Sequence, residues 1–491
     1  MVPSSNKSNI NFHSKTYSRR QFLKNAAAGL TVLTPMGKLL GANNDIRIAV
    51  IGLGNKGGGH IRGLAKLAGV RIAGVCDVDP KRLEQKGRPY IDKGAFATTD
   101  ARKILDRKDI DAVVIATCDH WHALLAVWAC QSGKDVYVEK PVSHNILEGR
   151  KMIAAAKKYG RIMQAGLQYR SDEGLAEAAE YIQSGKLGKL LQARVPWFEF
   201  RPGIGRMNPY TPDWLDYDLY CGPGELKPLR RKKLHYDWHW LWNTGTGDLG
   251  NSSVHAFDIC RMMMGYDSLP PRAICVGGRF GVDDVGETPN TQLTLLNYEA
   301  PIVIENRNLG NRKGSRNLDH VRGVREGIIL TCEGGYFAGL RAGGWIYDND
   351  GKKIKQFVGG GGGEHMANFI EAVRKRDASI LKAPIEEGHI SSACCHLGNI
   401  SYRLGSPTTP DRIKARIKSS DLAGEVFNSI AKHLEANEVD FIKKAATLGP
   451  LMTVDTASEE IVGLDGSGTL AAAKKLVHGS YRSPFIVPET V

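Results

Sequence analysis

The sequence predicts an α/β N-terminal domain built on a doubly wound, largely parallel sheet, and three observations predict it. The apolar run Ile46 to Ile51 feeds directly into Gly52-Leu53-Gly54-Asn55-Lys56-Gly57 and then a helical pattern, His60 to Leu67. A second apolar run, Val70 to Cys76, ends on an acid, Asp77, twenty residues after Gly57. Short apolar runs then alternate with helical segments as far as Ala165, the pattern of βα units that close a parallel sheet.

Ile46 to Ile51 alternates little, as a strand buried on both faces should. In the turn after it, Gly52 permits the sharp bend, Gly54 lets backbone approach a pyrophosphate, and Gly57 allows close packing of helix on strand. The phosphates would lie at the positive helix terminus, beside Asn55 and Lys56. Asp77 stands where a carboxylate accepts hydrogen bonds from adenosine ribose hydroxyls and repels a 2'-phosphate. That favours NAD, with Lys81 and Arg82 keeping NADP as the alternative. The next strand, Ala112 to Ala116, leads into Thr117-Cys118-Asp119-His120-Trp121-His122 and a helix, Ala123 to Gln131. Asp135 to Val138 ends in Glu139-Lys140-Pro141, and helix Ile146 to Tyr159 and strand Arg161 to Ala165 complete the series. Ligands of such sheets gather beyond the strands' carboxyl ends.

The length of 491 residues, 42% of them hydrophobic, suits two or three domains and excludes a small module or a disordered chain. The formal charge of +14 raises the question of an anionic partner. Residues 1 to 42 carry six lysines and arginines and no acid, which leaves +8 over the remainder. The one dense run, Arg230 to Lys233, reads as a solvated loop, so nucleic acid is not an expected partner. Ser18-Arg19-Arg20-Gln21-Phe22-Leu23-Lys24, followed by the short apolar stretch Asn25 to Met36, resembles a twin-arginine (Tat) signal. The resemblance implies export by the Tat machinery to the periplasm, with cleavage near Ala42 or a retained N-terminal anchor. No stretch is long enough for a stable membrane span. The nine cysteines include no C-x-x-C pair and no zinc-ligand spacing, so they read as buried thiols.

The glycine turn, Asp77, the T-x-x-x-x-H segment Thr117 to His122, the E-K-P at 139 to 141 and a later H-x-x-D, His255 to Asp258, together resemble the Gfo/Idh/MocA oxidoreductase family over roughly residues 44 to 410. The resemblance implies a Rossmann domain followed by an α+β domain with an open, mainly antiparallel sheet that holds a sugar or cyclitol against the nicotinamide. It also implies a homo-oligomer built on that sheet. The domain boundaries expected are 1–42 for the signal, 43–165 for the NAD(P)-binding domain, 166–410 for the substrate domain and 411–491 for C-terminal helices and a tail. Cys118 departs from the proline common in the family at that position.

Lys140, at a strand's carboxyl end, can donate to a substrate hydroxyl and stabilise charge as hydride leaves. By resemblance, His255 is the general acid/base. If the helix that holds Ile259 to Met264 starts early, Asn251, His255 and Asp258 share one face. Asn251 is the second departure, because the family's dehydrogenases often have Asp there, and an amide cannot share a proton as a carboxylate does. Asp248 or Asp258 can substitute, and Asp258 can instead orient His255 or cap the helix. Glu139 and Gln168 complete the expected cofactor contacts with Gly52, Gly54, Asn55, Lys56, Gly57, Asp77, Thr117, Asp119, His122 and Lys140. Sugar contacts are expected from Tyr169, Arg170, Trp238, His239 and His365, with Trp197 to Arg201 nearby, because aromatic faces pack on C–H surfaces while Arg and His donate to hydroxyls. Three functions fit this constellation: an exported sugar oxidoreductase with tightly held cofactor, a glycosidase or lyase that oxidises and re-reduces its substrate, and a sugar-binding protein without turnover.

Overall fold

Strand β1 (Ile46–Ile51) is buried along almost its whole length and pairs in parallel with β2 (Val70–Cys76) and β4 (Ala112–Ile115). With β3 (Phe96–Thr98), β5 (Asp135–Val138) and β6 (Met163–Ala165) they form a six-stranded parallel sheet in the order β3-β2-β1-β4-β5-β6. The order reverses between β1 and β4, which opens the crevice where doubly wound sheets bind ligands. These positions come from a computed structural model that describes residues 45–440 and 444–491; the twin-arginine segment lies outside the described residues.

Local chemistry sets the helix ends. Helix Ile146–Tyr159 starts where Asn145 accepts the backbone N–H of Glu148 at 3.0 Å, carries Lys157 and Lys158 in its last turn, and stops at Gly160 in the left-handed conformation. Two helices begin earlier than their apolar periodicity suggests. Asn55–Leu64 starts inside the glycine turn, and Asp119–Gln131 takes in Asp119, His120 and His122, all buried. Strand β3 escaped the sequence reading because three residues carry too little periodicity.

The second sheet has twelve strands and runs β14-β13-β12-β11-β7-β10-β9-β8-β16-β15. Its members are β7 (Leu190–Phe198), β8 (Arg272–Gly278), β9 (Thr291–Leu296), β10 (Ile302–Arg307), β11 (Ile328–Cys332), β12 (Gly335–Leu340), β13 (Gly343–Tyr347), β14 (Lys353–Val358), β15 (Ser406–Thr408) and β16 (Ala446–Leu448). β17 (Leu451–Asp455) pairs with β8 and with β18 (Glu460–Asp465). Every pairing is antiparallel except β7 with β10. One face of the sheet packs on helices Glu173–Gln183, Val254–Met264 and Ile385–Leu404. Over β8–β10 the other face is covered by helices Pro410–Ile417 and Asp421–Ala436, which bury Ile413, Ile417, Val426, Phe427 and Ile430 against Ile274, Val276, Leu293, Leu295 and Val303. The sequence beyond Pro410 reads as helices and a tail, yet it supplies β16–β18 as well, because those strands take their order from distant partners such as β8.

All nine cysteines are free thiols and eight are buried. Among the described residues no helix is long and apolar enough to cross a membrane. Phe427 is 1% exposed between helix and sheet. Phe427→Ala should therefore cost about 3–5 kcal/mol, read as a lower urea midpoint at unchanged m-value; a loss under about 1 kcal/mol would mean the helix is not seated on the sheet.

Candidate functional site

A cleft of about 360 Å³ opens at the carboxyl ends of the parallel strands. Its floor is the glycine turn. Gly52 has φ +88°, and a Cβ on Gly57 would lie 1.7 Å from the Gly52 carbonyl oxygen, so neither position tolerates a side chain. A Cβ on Gly54 would meet only the tip of Arg82, at 3.3 Å, which leaves this backbone open to the cleft. No side chain caps helix Asn55–Leu64, so its first-turn N–H groups remain free for an anion. Asp77 accepts the backbone N–H groups of Leu53 at 2.7 Å and Asp79 at 2.9 Å. Each carboxylate oxygen keeps a lone pair for a ribose hydroxyl, and burial raises its pKa against the pull of those donors. The turn, the uncapped helix and the acid fit a dinucleotide.

Residues 210–244 lie across this floor as a strap. His235 bonds Asp79 at 2.7 Å, the Tyr220 carbonyl takes the His120 ring at 3.2 Å, and the indole N–H of Trp121 donates to the Leu219 carbonyl at 3.1 Å. Tyr236, Trp238 and His239 line the cleft from above, with the Trp238 and His239 rings stacked at 3.6 Å between centroids. Behind the strap's anchor, Phe485 and Val487 near the C-terminus pack on Trp121, Leu124 and Trp128. Sequence reasoning singled out Trp238 and His239 but missed the strap. Its signal was the density of tyrosine and tryptophan between Tyr210 and Trp242.

At the far end of the cleft, Lys140 Nζ donates to the backbone carbonyl of Asn251 at 2.5 Å and to Asn251 Oδ1 at 3.1 Å. Burial lowers the Lys140 pKa, opposed by Glu139 and Asp119. Glu139 bonds the His60 ring at 2.6 Å and lies 3.7 Å from Lys56, and the Lys56 charge and the His60 hydrogen bond hold its pKa well below the usual range despite burial. Asp119 accepts from the Thr246 hydroxyl at 2.8 Å, and burial pushes its pKa up to about 7. His122 lies between the ends of β4 and β5, its ring nitrogens 2.7 Å from the Pro141 carbonyl and 3.3 Å from the Thr117 carbonyl, of which a neutral ring donates to one. The cleft lining thus gathers Gly52, Gly54, Asn55, Lys56, Asp77, Thr117, Asp119, His122, Glu139, Lys140, Asn251, Trp238 and His239.

The other predicted residues fall outside that lining. His255 stands one turn beyond Asn251, its ring edge-on to Tyr169 at 5.5 Å, and its buried Nδ1 has no hydrogen-bond partner. Burial, then Lys140 and Lys56, keep its pKa well below the ordinary value. Gln168 lies in a short turn, its Oε1 buried without a partner. The helix does begin early, as a π turn, Leu249–Ser253, that passes into Val254–Met264. Asp258 nonetheless faces away from the cleft. It pairs with Arg170 at 2.8 Å and accepts from Ser391 at 2.7 Å, while Arg170 also reaches Glu387 at 3.0 Å. These buried ions satisfy one another between helices, so the structure brings neither Asp258 nor Arg170 to the cleft. Nor does it bring His365, whose ring is spent on Ser171 at 2.7 Å and the Ala165 carbonyl at 2.9 Å.

Two family models match the chain. One, described as an oxidoreductase family NAD-binding Rossmann fold, covers residues 46–167, and the other, an oxidoreductase family C-terminal alpha/beta domain, covers residues 192–313. A glycosyl hydrolase family 109 protein of Shewanella pealeana is 28% identical over 215 residues, 42% of this chain and 46% of that protein. The chain thus spans less than half the length of this relative. A levoglucosan dehydrogenase of Pseudarthrobacter phenanthrenivorans is 28% identical over 280 residues, 53% of this chain and 64% of that protein. Of the solved structures, the WlbA dehydrogenase of Bordetella pertussis, in complex with NADH and UDP-GlcNAcA, superposes with a TM-score of 0.56 at 19% identity, covering 73% of this chain and 97% of that one. The levoglucosan dehydrogenase complex with NADH gives 0.56 at 17%, covering 72% and 97%. These two share the fold.

Gly54→Val, which meets only the tip of Arg82 and fills the space a pyrophosphate would approach, should abolish NADH binding in a fluorescence titration while the circular dichroism stays native; retained binding would place the dinucleotide elsewhere. Asp119 gives a pH prediction. Between about pH 4 and 7 the folded state keeps a proton that the unfolded state has released, so stability falls as pH rises through that window and levels off above it. Asp119→Asn should flatten this fall in urea midpoints measured from pH 4 to 8, leaving the part due to Glu148, whose pKa burial also raises to about 7. An unchanged slope would contradict the burial of an ionisable Asp119.

Proposed function

Since residues 46–167 and 192–313 match models of the Gfo/Idh/MocA oxidoreductase family, we propose that the chain is an NAD-dependent oxidoreductase of that family acting on a CH–OH group of a sugar, glycoside or cyclitol, with the dinucleotide retained between turnovers. The observation that carries this reading is the placement of Lys140. It stands at the end of the cleft that begins at the glycine turn, with two of its three N–H donors on Asn251. Its third position is free for a substrate hydroxyl, to which it can donate as the ammonium or from which, as the amine, it can take the proton as hydride leaves. When bound, NAD supplies the acceptor for the hydride that leaves the same carbon. Trp238 and His239 offer an aromatic face to the C–H side of a sugar ring, and His255 stands neutral beyond Asn251.

Retention is favoured by the strap, which must unfasten from Asp79 and His120 before a dinucleotide beneath it can leave. It also suits the twin-arginine segment. An exported enzyme works away from the soluble NAD pool, so its redox cycle has to close on the protein. A second reading draws on the relatives named glycosyl hydrolase family 109 and on the amide at position 251. In it, the substrate carbon would pass its hydride to the retained dinucleotide to leave a transient carbonyl that acidifies the neighbouring C–H; the glycosidic oxygen would then leave by elimination, water would add, and the same hydride would return to the carbonyl, with no net redox change.

The test is to purify the protein without added nucleotide, record the near-ultraviolet absorbance of NADH before and after candidate sugars, and follow substrate C–H exchange in heavy water by NMR. Net oxidation supports the first reading and cleavage with exchange the second. Absence of dinucleotide even after its addition overturns both. Lys140→Ala should lose about 10²-fold or more in turnover with the nucleotide still bound.

A further inference from the structure

Asn251 is an amide in direct contact with an ammonium, and its orientation is set from behind. Its Nδ2 donates to Asp248 Oδ1 at 3.4 Å while its Oδ1 takes Lys140 at 3.1 Å. Asp248, 2% exposed, also accepts from the Ser252 hydroxyl at 3.1 Å, from the Asn308 amide and from Arg201 Nη2 at 3.2 Å. Arg201 in turn holds Glu199 at 2.7 Å and the Tyr236 phenol, with its guanidinium over the Trp240 ring. An ionised carboxylate accepts and cannot donate. Inverting the amide would therefore set its oxygen against the Asp248 carboxylate and its NH₂ against the Lys140 ammonium, two repulsions in a buried site.

We propose that Asp248 is a positioning residue: it locks the Asn251 amide so that Lys140 is held by two uncharged carbonyl oxygens, while the negative charge stays one residue further back, neutralised by Arg201. This rests on the reading of Lys140 as the group that meets the reacting hydroxyl. An ammonium without a carboxylate on it surrenders a proton more readily than one in an ion pair. Lys140, its pKa lowered by burial, is thereby better suited to take the hydroxyl proton as the amine, a task the depressed His255 performs poorly. The other groups facing Lys140 pull both ways. Glu139 and Asp119 favour its charge, Lys56 and Arg201 oppose it, and the rings of His122, His239 and His255 are neutral.

The experiment moves the charge and reads Lys140 without substrate. Trace acetylation of the full-length protein, followed by mass spectrometry across pH, gives the midpoint at which the Lys140 amine becomes reactive. Asn251→Asp should raise that midpoint by about 1 unit or more. Asp248→Asn should lower it and reduce kcat about tenfold with KM little changed. The double exchange Asp248→Asn/Asn251→Asp keeps the buried charge constant and should still raise the midpoint, so the test survives a single variant that folds poorly. Midpoints within about 0.3 unit of the parent in Asn251→Asp and in the double exchange would overturn the proposal. If the midpoints move as expected while Lys140→Ala turns sugars over at the parent rate, the positioning role stands and the oxidoreductase reading falls.

Discussion

Two hydrogen bonds from Lys140 to Asn251 join the end of a parallel strand to the π turn Leu249–Ser253 across 111 residues of chain, and the rest of the site is arranged around them. Lys140 leaves β5 at the strand's carboxyl end, and Asn251 arrives on a π turn that the second half of the chain buries. Neither half alone could hold an ammonium in this position, because burial works against its charge and only acceptors from the other half offset that cost. The cleft is thereby closed at one end by chemistry, while the strap closes it from above. The buried pair Arg170–Asp258 keeps helix Val254–Met264 against helix Ile385–Leu404, which fixes the π turn without entering the site.

The sequence revealed those parts of the site whose constraints are local. The glycine turn needs glycine at Gly52 and Gly57 because backbone oxygens occupy the space of a Cβ, and that requirement is written in the residues themselves. Asp77 follows from where β2 ends. Lys140 followed from the residues beside it and the family they resemble. What depends on distant partners was not legible. The strap takes its shape from His235 meeting Asp79 and from Tyr220 meeting His120, and no periodicity in residues 210–244 encodes those contacts.

A polar side chain near a motif shows the same limit. Arg170, Asp258 and His365 carry the chemistry of sugar binding and proton transfer, and helix spacing places Asp258 on the face of His255. Their hydrogen-bond capacity is instead consumed in the interior, by one another and by Glu387, Ser391, Ser171 and the Ala165 carbonyl. Burial with satisfied partners decides between structural and functional roles, and it appears only once the chain is folded. His255 differs from them in keeping an unpartnered ring nitrogen beside the lysine's field.

In the proposed function, a dinucleotide lies beneath the strap with its reactive end at Lys140. A crystal structure of the protein purified without added nucleotide, soaked with a sugar that it turns over, tests this most directly. NAD(H) density should run from the glycine turn, with a substrate hydroxyl within hydrogen-bond distance of Lys140 Nζ. An empty cleft with the sugar bound elsewhere, or a nucleotide lying outside the strap, would contradict it.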